Sequence, residues 1–541
     1  MIYEIVKYSG TVLISNKTPA TPYEILLLHN KSTNDTTPGD LVIIEKTENP
    51  QELKLLAEIE STKIYTLFEK QSAAILKEFR NIPRIPAQEE SYTVYKAKIV
   101  RIMQSNRILE PGIPPSPGMK WRKPSKKEVE TFLRTNFTGL PVALAKSTCD
   151  IQKDINNEVI LIRHPDILPF FIELIAGQPG SGKTVTIGTF AWYYTQQYKD
   201  PETKQPAAFI CINNKSIDLL YLDYPAPYID PLWKDMEIQP EGIKDFQIIY
   251  PSIDGSSRNS GCRQIPFTFD SLLIQPEALL GIVDLTDKAQ LQLPDIFRYW
   301  QEQNINGSST HFEDFLDYLR NNGQSAGYNR VVFPAKSKNG RIYNIPIHES
   351  TLMATIANLA AITDYFDDEN ATMINAQDIV VPGRCTVIDV SRDPTGKFQN
   401  LIIRQLLLSI LEYQKRTREK GKPICPVIFA IDEAHLIYSS KHGDVVTKEI
   451  STIAKTGRTL KCGLILASQL ISDLSSDILR IAGSKIIFRT QQKEAQALGL
   501  NNKAHVLGNL QPGFALFQDN VKIGKQLFIK IPMAPCNVRG E

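Results

Sequence analysis

The chain is short of the features that settle a protein's class at a glance. Its seven cysteines, at 149, 211, 262, 385, 425, 462 and 536, include no pair at CxxC spacing. That excludes a zinc ribbon and a dithiol redox motif, and leaves free or buried thiols in a reducing compartment. No uninterrupted apolar run approaches the ~18 residues of a membrane span. The opening residues, MIYEIVKYSG, hold no apolar core of signal-peptide length. The expectation is a soluble, cytoplasmic chain with no membrane partner. Neither charge dominates: 61 Lys and Arg against 59 Asp and Glu give a formal net charge of +2. A surface so balanced is no general magnet for polyanions, so any nucleic-acid contact has to come from a local basic patch, such as the lining of a channel. No internal repeat is visible.

What is present is ordinary in bulk and specific in detail. An apolar fraction of 42% and a charged fraction of 22% describe a folded protein, and 541 residues are too many for a single core, so two or three domains are expected. Residues 1–105 read as a small β-rich domain, a barrel rather than a helical bundle. The stretches YEILLLHN, TPGDLVIIEK, LKLLAEIES and YTVYKAKIVRI recur between turn signals, with one helical piece expected at SAAILKEFRN. Residues 106–154 read as a linker. Pro111, Pro114, Pro115 and Pro117, followed by Gly118, cannot continue a helix or a central strand.

From 155 to 541 apolar strands alternate with longer helices. The strands 172–177, 207–213, 385–390, 427–433, 460–468 and 485–490 lack polar alternation, as when helices cover both faces of a parallel sheet. The stretch of about 260–375 reads as a mostly helical insertion, and short strands return in GFALFQD and KQLFIKI near the end.

The sharpest motif is Gly177-Gln178-Pro179-Gly180-Ser181-Gly182-Lys183-Thr184, which fits G-x-x-x-x-G-K-[ST]. Glycines let such a loop curl so that its N–H groups face phosphate oxygens. Lys183 is expected at the β- and γ-phosphates and the Thr184 hydroxyl on Mg²⁺. A helix after the loop adds a favourable dipole. The second motif is VIFAIDE, an apolar strand ending in Asp432 and Glu433. An acid there binds Mg²⁺, and its neighbour can accept a proton from the attacking water. Gln469, ending LKCGLILASQ, reads equally as a γ-phosphate sensor and as a polar loop residue. Arg458, in Gly457-Arg458, reads as a finger offered to a neighbouring subunit or as a surface arginine, and spacing does not separate the two.

The order of these motifs resembles the HerA/FtsK group of ring ATPases, HerA-like chains in particular. A phosphate loop is followed about 250 residues later by IDEAH, then by Gly-Arg, GLILASQ and KIIFRT. The resemblance covers most of the chain and only loosely the insertion. It implies an α/β fold with a P-loop NTPase core of RecA/FtsK type, a small N-terminal β-barrel with PPSPG as its linker, and a helical insertion.

It also implies ATP and Mg²⁺ as cofactors, held by 177–184 and by Thr184 with Asp432. Glu433, Arg458, Gln469 and Arg489 are the implied catalytic set. It implies a homo-hexamer that moves double-stranded DNA together with a NurA-like nuclease or a defence effector. Lys441 with His442, or Lys336, Lys338 and Arg341, are candidate lining of the hole, each also readable as a solvated loop residue. An assembly platform for an effector enzyme, and a secretion or conjugation ATPase of related fold, stand as alternatives. Two departures from the group's pattern are visible. Phe170-Phe171 stands where a basic residue is usual, and Asn213-Asn214-Lys215 where an aspartate is usual.

Overall fold

The structure is a computed structural model. It describes residues 8–14, 20–29, 36–46, 53–66, 91–116, 118–215, 217–258, 261–280, 287–307, 310–393, 397–436, 453 and 455–540. The chain forms two compact units. The first comprises Met1–Pro165 and Asn509–Ile531, the second Asp166–Gly508 and Pro532–Glu541.

The first unit begins with β1 (Gly10–Leu13), β2 (Glu24–His29), β3 (Leu41–Glu45), β4 (Leu53–Thr66), β5 (Ser91–Gln104), β6 (Arg107–Leu109) and β7 (Lys120–Arg122). Antiparallel pairing in the order β2-β1-β7-β3-β4-β5 closes through β2–β5 into a barrel of six strands, with β6 beside β5. Its core follows from alternation. Ile25 and Leu27, Val42 and Ile44, Leu55, Ala57 and Ile59, and Tyr95, Ala97 and Ile99 all point inward. Trp121 fills the centre and donates its indole N–H to the Leu28 carbonyl at 2.9 Å.

The bounds differ from those expected. The proline-rich stretch lies between β6 and β7, and β7 is a barrel strand, so the prolines mark a loop within the barrel unit and not its end. Proline excludes a strand only where it stands; from Lys120, two residues beyond Gly118, the chain pairs again with β1 and β3. The helical piece expected at 72–81 lies outside the described residues. The unit continues through a helix Lys126–Leu133, capped by Ser125, into β8 (Gly139–Leu144) and β9 (Leu161–Pro165).

The second unit is built on β10 (Glu173–Ala176), β11 (Ala208–Asn213), β12 (Asp245–Pro251) and β13 (Arg263–Phe267), then β17 (Arg384–Asp389), β18 (Val427–Ile431), β19 (Cys462–Ser468) and β20 (Ser484–Ile487). They stand in the order β13-β12-β17-β11-β18-β19-β10-β20, and every pairing is parallel. β10, β11, β18 and β19 are buried throughout, which is why they read as unbroken apolar runs.

The insertion is not helical alone. Between the helices Phe312–Asn321 and Glu349–Ala360 lies a small antiparallel sheet of β14 (Gln324–Ser325), β15 (Arg330–Lys336) and β16 (Ile342–His348). Pro334 and Pro346, which argue against a strand, hid the alternation that buries Phe333, Ala335, Ile345 and Ile347. Its hairpin turns at Gly340, whose φ of +83° is open to glycine.

Near its end the chain returns to the first unit as β21 (Phe514–Asp519) and β22 (Lys525–Lys530), which pair with β8 and β9 in the order β21-β22-β8-β9. The sequence pattern assigns this segment to the core, and the structure pairs it with the first unit instead.

Candidate functional site

The site is assembled at the carboxyl ends of neighbouring parallel strands, where open α/β sheets bind ligands. β10 runs into Gly177–Gly182, and the helix Lys183–Trp192 follows. Gly180 and Gly182 take φ of +70° and +121°; side chains there would be strained, so glycine is required. The loop is pinned on two sides. The Gly177 N–H donates to the Ser468 carbonyl at 3.2 Å and the Gln178 N–H to the Arg489 carbonyl at 2.8 Å. Inside it, the buried Lys183 ammonium donates to the carbonyls of Gly177 and Gln178 at 2.8 and 3.2 Å.

Asp432 and Glu433 follow β18 and are 2% and 6% exposed. The Thr184 hydroxyl donates to Asp432 Oδ2 at 3.1 Å across 248 residues of sequence. The Gln469 amide donates to Glu433 Oε1. Glu433 has a φ of +51°, a left-handed conformation costing a residue with a side chain on the order of 1 kcal/mol. Such strain collects where geometry serves chemistry. Glu433 Oε2 is buried without a hydrogen-bond partner, and His435 Nδ1 lies 3.5 Å from it and 3.0 Å from Ser468 Oγ.

β11 supplies a cation. Lys215 Nζ is 2.8 Å from Asp432 Oδ2 and 2.9 Å from Glu433 Oε1. Burial alone would lower its pKa, but the pull of Asp432 and the hydrogen bonds to both acids outweigh burial and raise it. Lys183 goes the other way: burial pushes its ammonium below the usual range against the pull of the same acids. Asn213 and Asn214 have structural work at this end. Asn213 donates to Asp389 Oδ1 at 3.1 Å and Asn214 to the Asp432 carbonyl at 3.3 Å, so the amides tie the ends of three adjacent strands together.

A cleft of about 270 Å³ opens over the loop, lined by Lys183, Thr184, Lys215, Asp218 and Gln469 and by Val538 and Arg539. A larger hollow of about 310 Å³, beside Glu412 and Arg416, contains none of the motif residues. The donor set suits Mg²⁺, since Thr184 and Asp432 offer hard oxygens side by side. Among the described residues no group of three or more His, Cys, Asp or Glu forms an all-protein metal cage; Mg²⁺ needs none, because it keeps waters and takes phosphate oxygens.

Residues 177–184, Asp432, Glu433 and Gln469 thus come together. Arg489 joins them through its backbone carbonyl, while its Nε is buried without a partner. Arg458 does not join them. It precedes β19 and lies over the Phe171 ring at 5.5 Å, at the amino end of the sheet. The seven residues of β19 separate it from Gln469, about 20 Å at the rise of a strand. Of the lining candidates, Lys336 pairs with Glu302, Lys338 is 3.9 Å from Glu277, and Arg341 is exposed. Lys441 and His442 lie outside the described residues. Lys215, His435, Asp218 and Arg539 were missed from sequence. For Lys215 a signal existed, the departure at Asn213-Asn214-Lys215.

The fold and site define an α/β protein with a closed β-barrel, in which a glycine-rich loop and a carboxylate pair meet at the carboxyl ends of neighbouring parallel strands. No protein-family model matches the chain. The DNA double-strand break repair helicase HerA of Pyrococcus furiosus is 21% identical over 245 residues, 40% of this chain and 44% of that protein. The match therefore spans less than half of that relative's length. Among solved structures, VirB4 of Thermoanaerobacter pseudethanolicus matches with 13% identity and a TM-score of 0.43, covering 74% of this chain and 97% of that one. The bacterial conjugative coupling protein TrwBdeltaN70 matches with 12% identity and a TM-score of 0.46, covering 77% and 93%. The motif resemblance and the curated relative agree, and the chain is similar to HerA-like ATPases. No helix among the described residues is long and apolar enough to cross a membrane.

Proposed function

We propose that the chain is a P-loop ATPase that works as a ring-forming DNA motor. The observation that carries the ATPase reading is the meeting of Lys183, Thr184, Asp432, Glu433 and Gln469 at the carboxyl ends of neighbouring parallel strands. Loop N–H groups and Lys183 bind the phosphates of ATP. Thr184 and Asp432 hold Mg²⁺, which supplies charge neutralisation on the phosphates when bound. Glu433 accepts the proton of the attacking water, and Gln469, bonded to it, orients both. The reading of DNA as substrate rests on the likeness to a DNA repair helicase. Contact would be mainly to phosphates, sequence-blind and salt-sensitive.

A ring is favoured by Arg458. A guanidinium about 20 Å from its own Gln469 has no part in its own site, but an exposed one can serve the site of a second copy. Six copies, in the cytoplasm, acting with a NurA-like nuclease or a defence effector, complete the proposal. The barrel is assigned to assembly or partner docking.

The test is a pair of variants. Glu433→Gln removes the proton acceptor and keeps the shape, so ATP affinity should persist while turnover falls by on the order of 10²–10⁴-fold. Lys183→Ala should weaken nucleotide binding itself. Turnover at the unmodified level in Glu433→Gln defeats the assignment, and so does undiminished nucleotide affinity in Lys183→Ala.

A further inference from the structure

Lys215 occupies an unusual position. Two carboxylates side by side and nearly buried do not stay ionised without a nearby cation. The loop lysine does not serve them directly, because its ammonium is turned to the carbonyls of Gly177 and Gln178. Lys215 alone among the described lysines touches both acids, at 2.8 and 2.9 Å. Both contacts fall on oxygens already in use. Asp432 Oδ2 also accepts from the Thr184 hydroxyl, and Glu433 Oε1 also accepts from the Gln469 amide.

We propose that Lys215 is a built-in counter-ion of the hydrolytic acids, and that a divalent cation entering with nucleotide must displace it. The inference rests on the nucleotide reading of the loop. A cation seated between Thr184 and Asp432 approaches the oxygen on which the ammonium sits, and two like charges do not share it cheaply. The ammonium can leave. Its side chain is 34% exposed on a flexible four-carbon stem, whereas Lys183 is 4% exposed. Asp218, which lines the same cleft, offers the displaced ammonium another carboxylate. Departure of Lys215 also removes one of the two cationic or N–H donors from Glu433 Oε1, leaving the carboxylate less compensated as a proton acceptor. The acids are thereby kept neutralised in the resting site and become fully available when the metal and its nucleotide arrive together.

The experiment uses the full chain with Lys215→Met, which keeps length and removes charge, and Lys215→Arg, which keeps charge. Mn²⁺ binding without nucleotide is followed by electron paramagnetic resonance. Affinity for a fluorescent ATP analogue is measured across a Mg²⁺ series. Removing one positive charge next to the metal position should tighten Mn²⁺ binding on the order of tenfold and shift the Mg²⁺ dependence of analogue binding to correspondingly lower concentration. Lys215→Arg should return both to wild-type values. Unchanged or weaker Mn²⁺ binding in a folded Lys215→Met protein overturns the counter-ion role. Should that variant fail to fold, Lys215→Gln, which still offers hydrogen bonds to the acids, takes its place with the same expected and overturning results. A wild-type protein that binds no ATP analogue at any Mg²⁺ concentration defeats the nucleotide reading and this inference with it. One that binds the analogue while the variants leave metal affinity unmoved defeats the Lys215 role alone.

Discussion

Each unit contains a cluster of two cations and two carboxylates, and the clusters are put to different use. In the barrel unit Arg122 bonds Glu45 at 2.9 Å and Glu128 at 2.7 Å, while Lys54 lies 3.1 Å from each acid. Glu128 also closes the capping box of Ser125. Every charge there faces its opposite within the same wall of protein. In the second unit Lys215 bonds Asp432 and Glu433, Lys183 bonds loop carbonyls instead, and both lysines line a cleft. Each cluster keeps one buried carboxylate oxygen without a hydrogen bond, Glu45 Oε2 and Glu433 Oε2, but only Glu433 takes a left-handed backbone. Equal charge counts therefore say little about role. What separates them is the solvent-sized space beside the second cluster and the strained backbone that holds its acid there.

The comparison can be sharpened first at the cleft. If the second cluster is completed by another chain, Arg458→Ala should lower turnover on the order of 10³-fold with nucleotide affinity retained. Mixed with Glu433→Gln subunits, also inactive alone, it should regain part of the activity, because some interfaces then pair an intact acid with an intact arginine. Full activity of Arg458→Ala alone removes the finger.

The barrel cluster should answer in stability. Arg122→Met leaves Glu45 and Glu128 short of their main partner, and a broken buried pair costs roughly 3–5 kcal/mol, read as a lowered denaturation midpoint. A midpoint shifted by less than about 1 kcal/mol would mean that Lys54 alone sustains both acids.

The smallest effect is in acid. Burial would raise the pKa of Glu128, but the Arg122 hydrogen bonds, the Ser125 N–H and the charges of Arg122 and Lys54 hold it down at about 2, against an ordinary 4.5. A folded value below the unfolded one stabilises above the unfolded value. That contribution, roughly 2–3 kcal/mol, is lost as pH falls from about 4.5 towards 2. Denaturation of Glu128→Gln should accordingly show a flatter limb in this window than the parent protein. Parallel limbs would assign the acid sensitivity to other groups.

Legibility in the sequence followed the range of the contacts. The glycine loop and the strands at 173–176, 208–213 and 427–431 are local patterns, set by a few consecutive residues each. Asp432 and Glu433 announced themselves by ending an apolar strand. Lys215 meets them across 217 residues, and no local pattern encodes that meeting; only a misfit to the family pattern marked the place. β7 was hidden behind prolines, and β15 and β16 contain prolines of their own. The return of Asn509–Ile531 to the barrel unit was hidden for a third reason. Its strands read correctly as strands, but an alternating strand does not state which sheet it joins.

That return has a consequence for how such a protein can be cut or fused. The chain passes between its units at three places, after Pro165, after Gly508 and after Ile531. The segment that brings Val538 and Arg539 to the cleft wall is reached only after the last crossing. Neither unit is therefore a cassette that a single junction could transplant. A stop placed after Gly508 takes β21 and β22 from one unit and part of the cleft wall from the other, and a fragment beginning after the prolines keeps one barrel strand and loses its neighbours. Moving either unit intact into another chain has to respect all three joints at once.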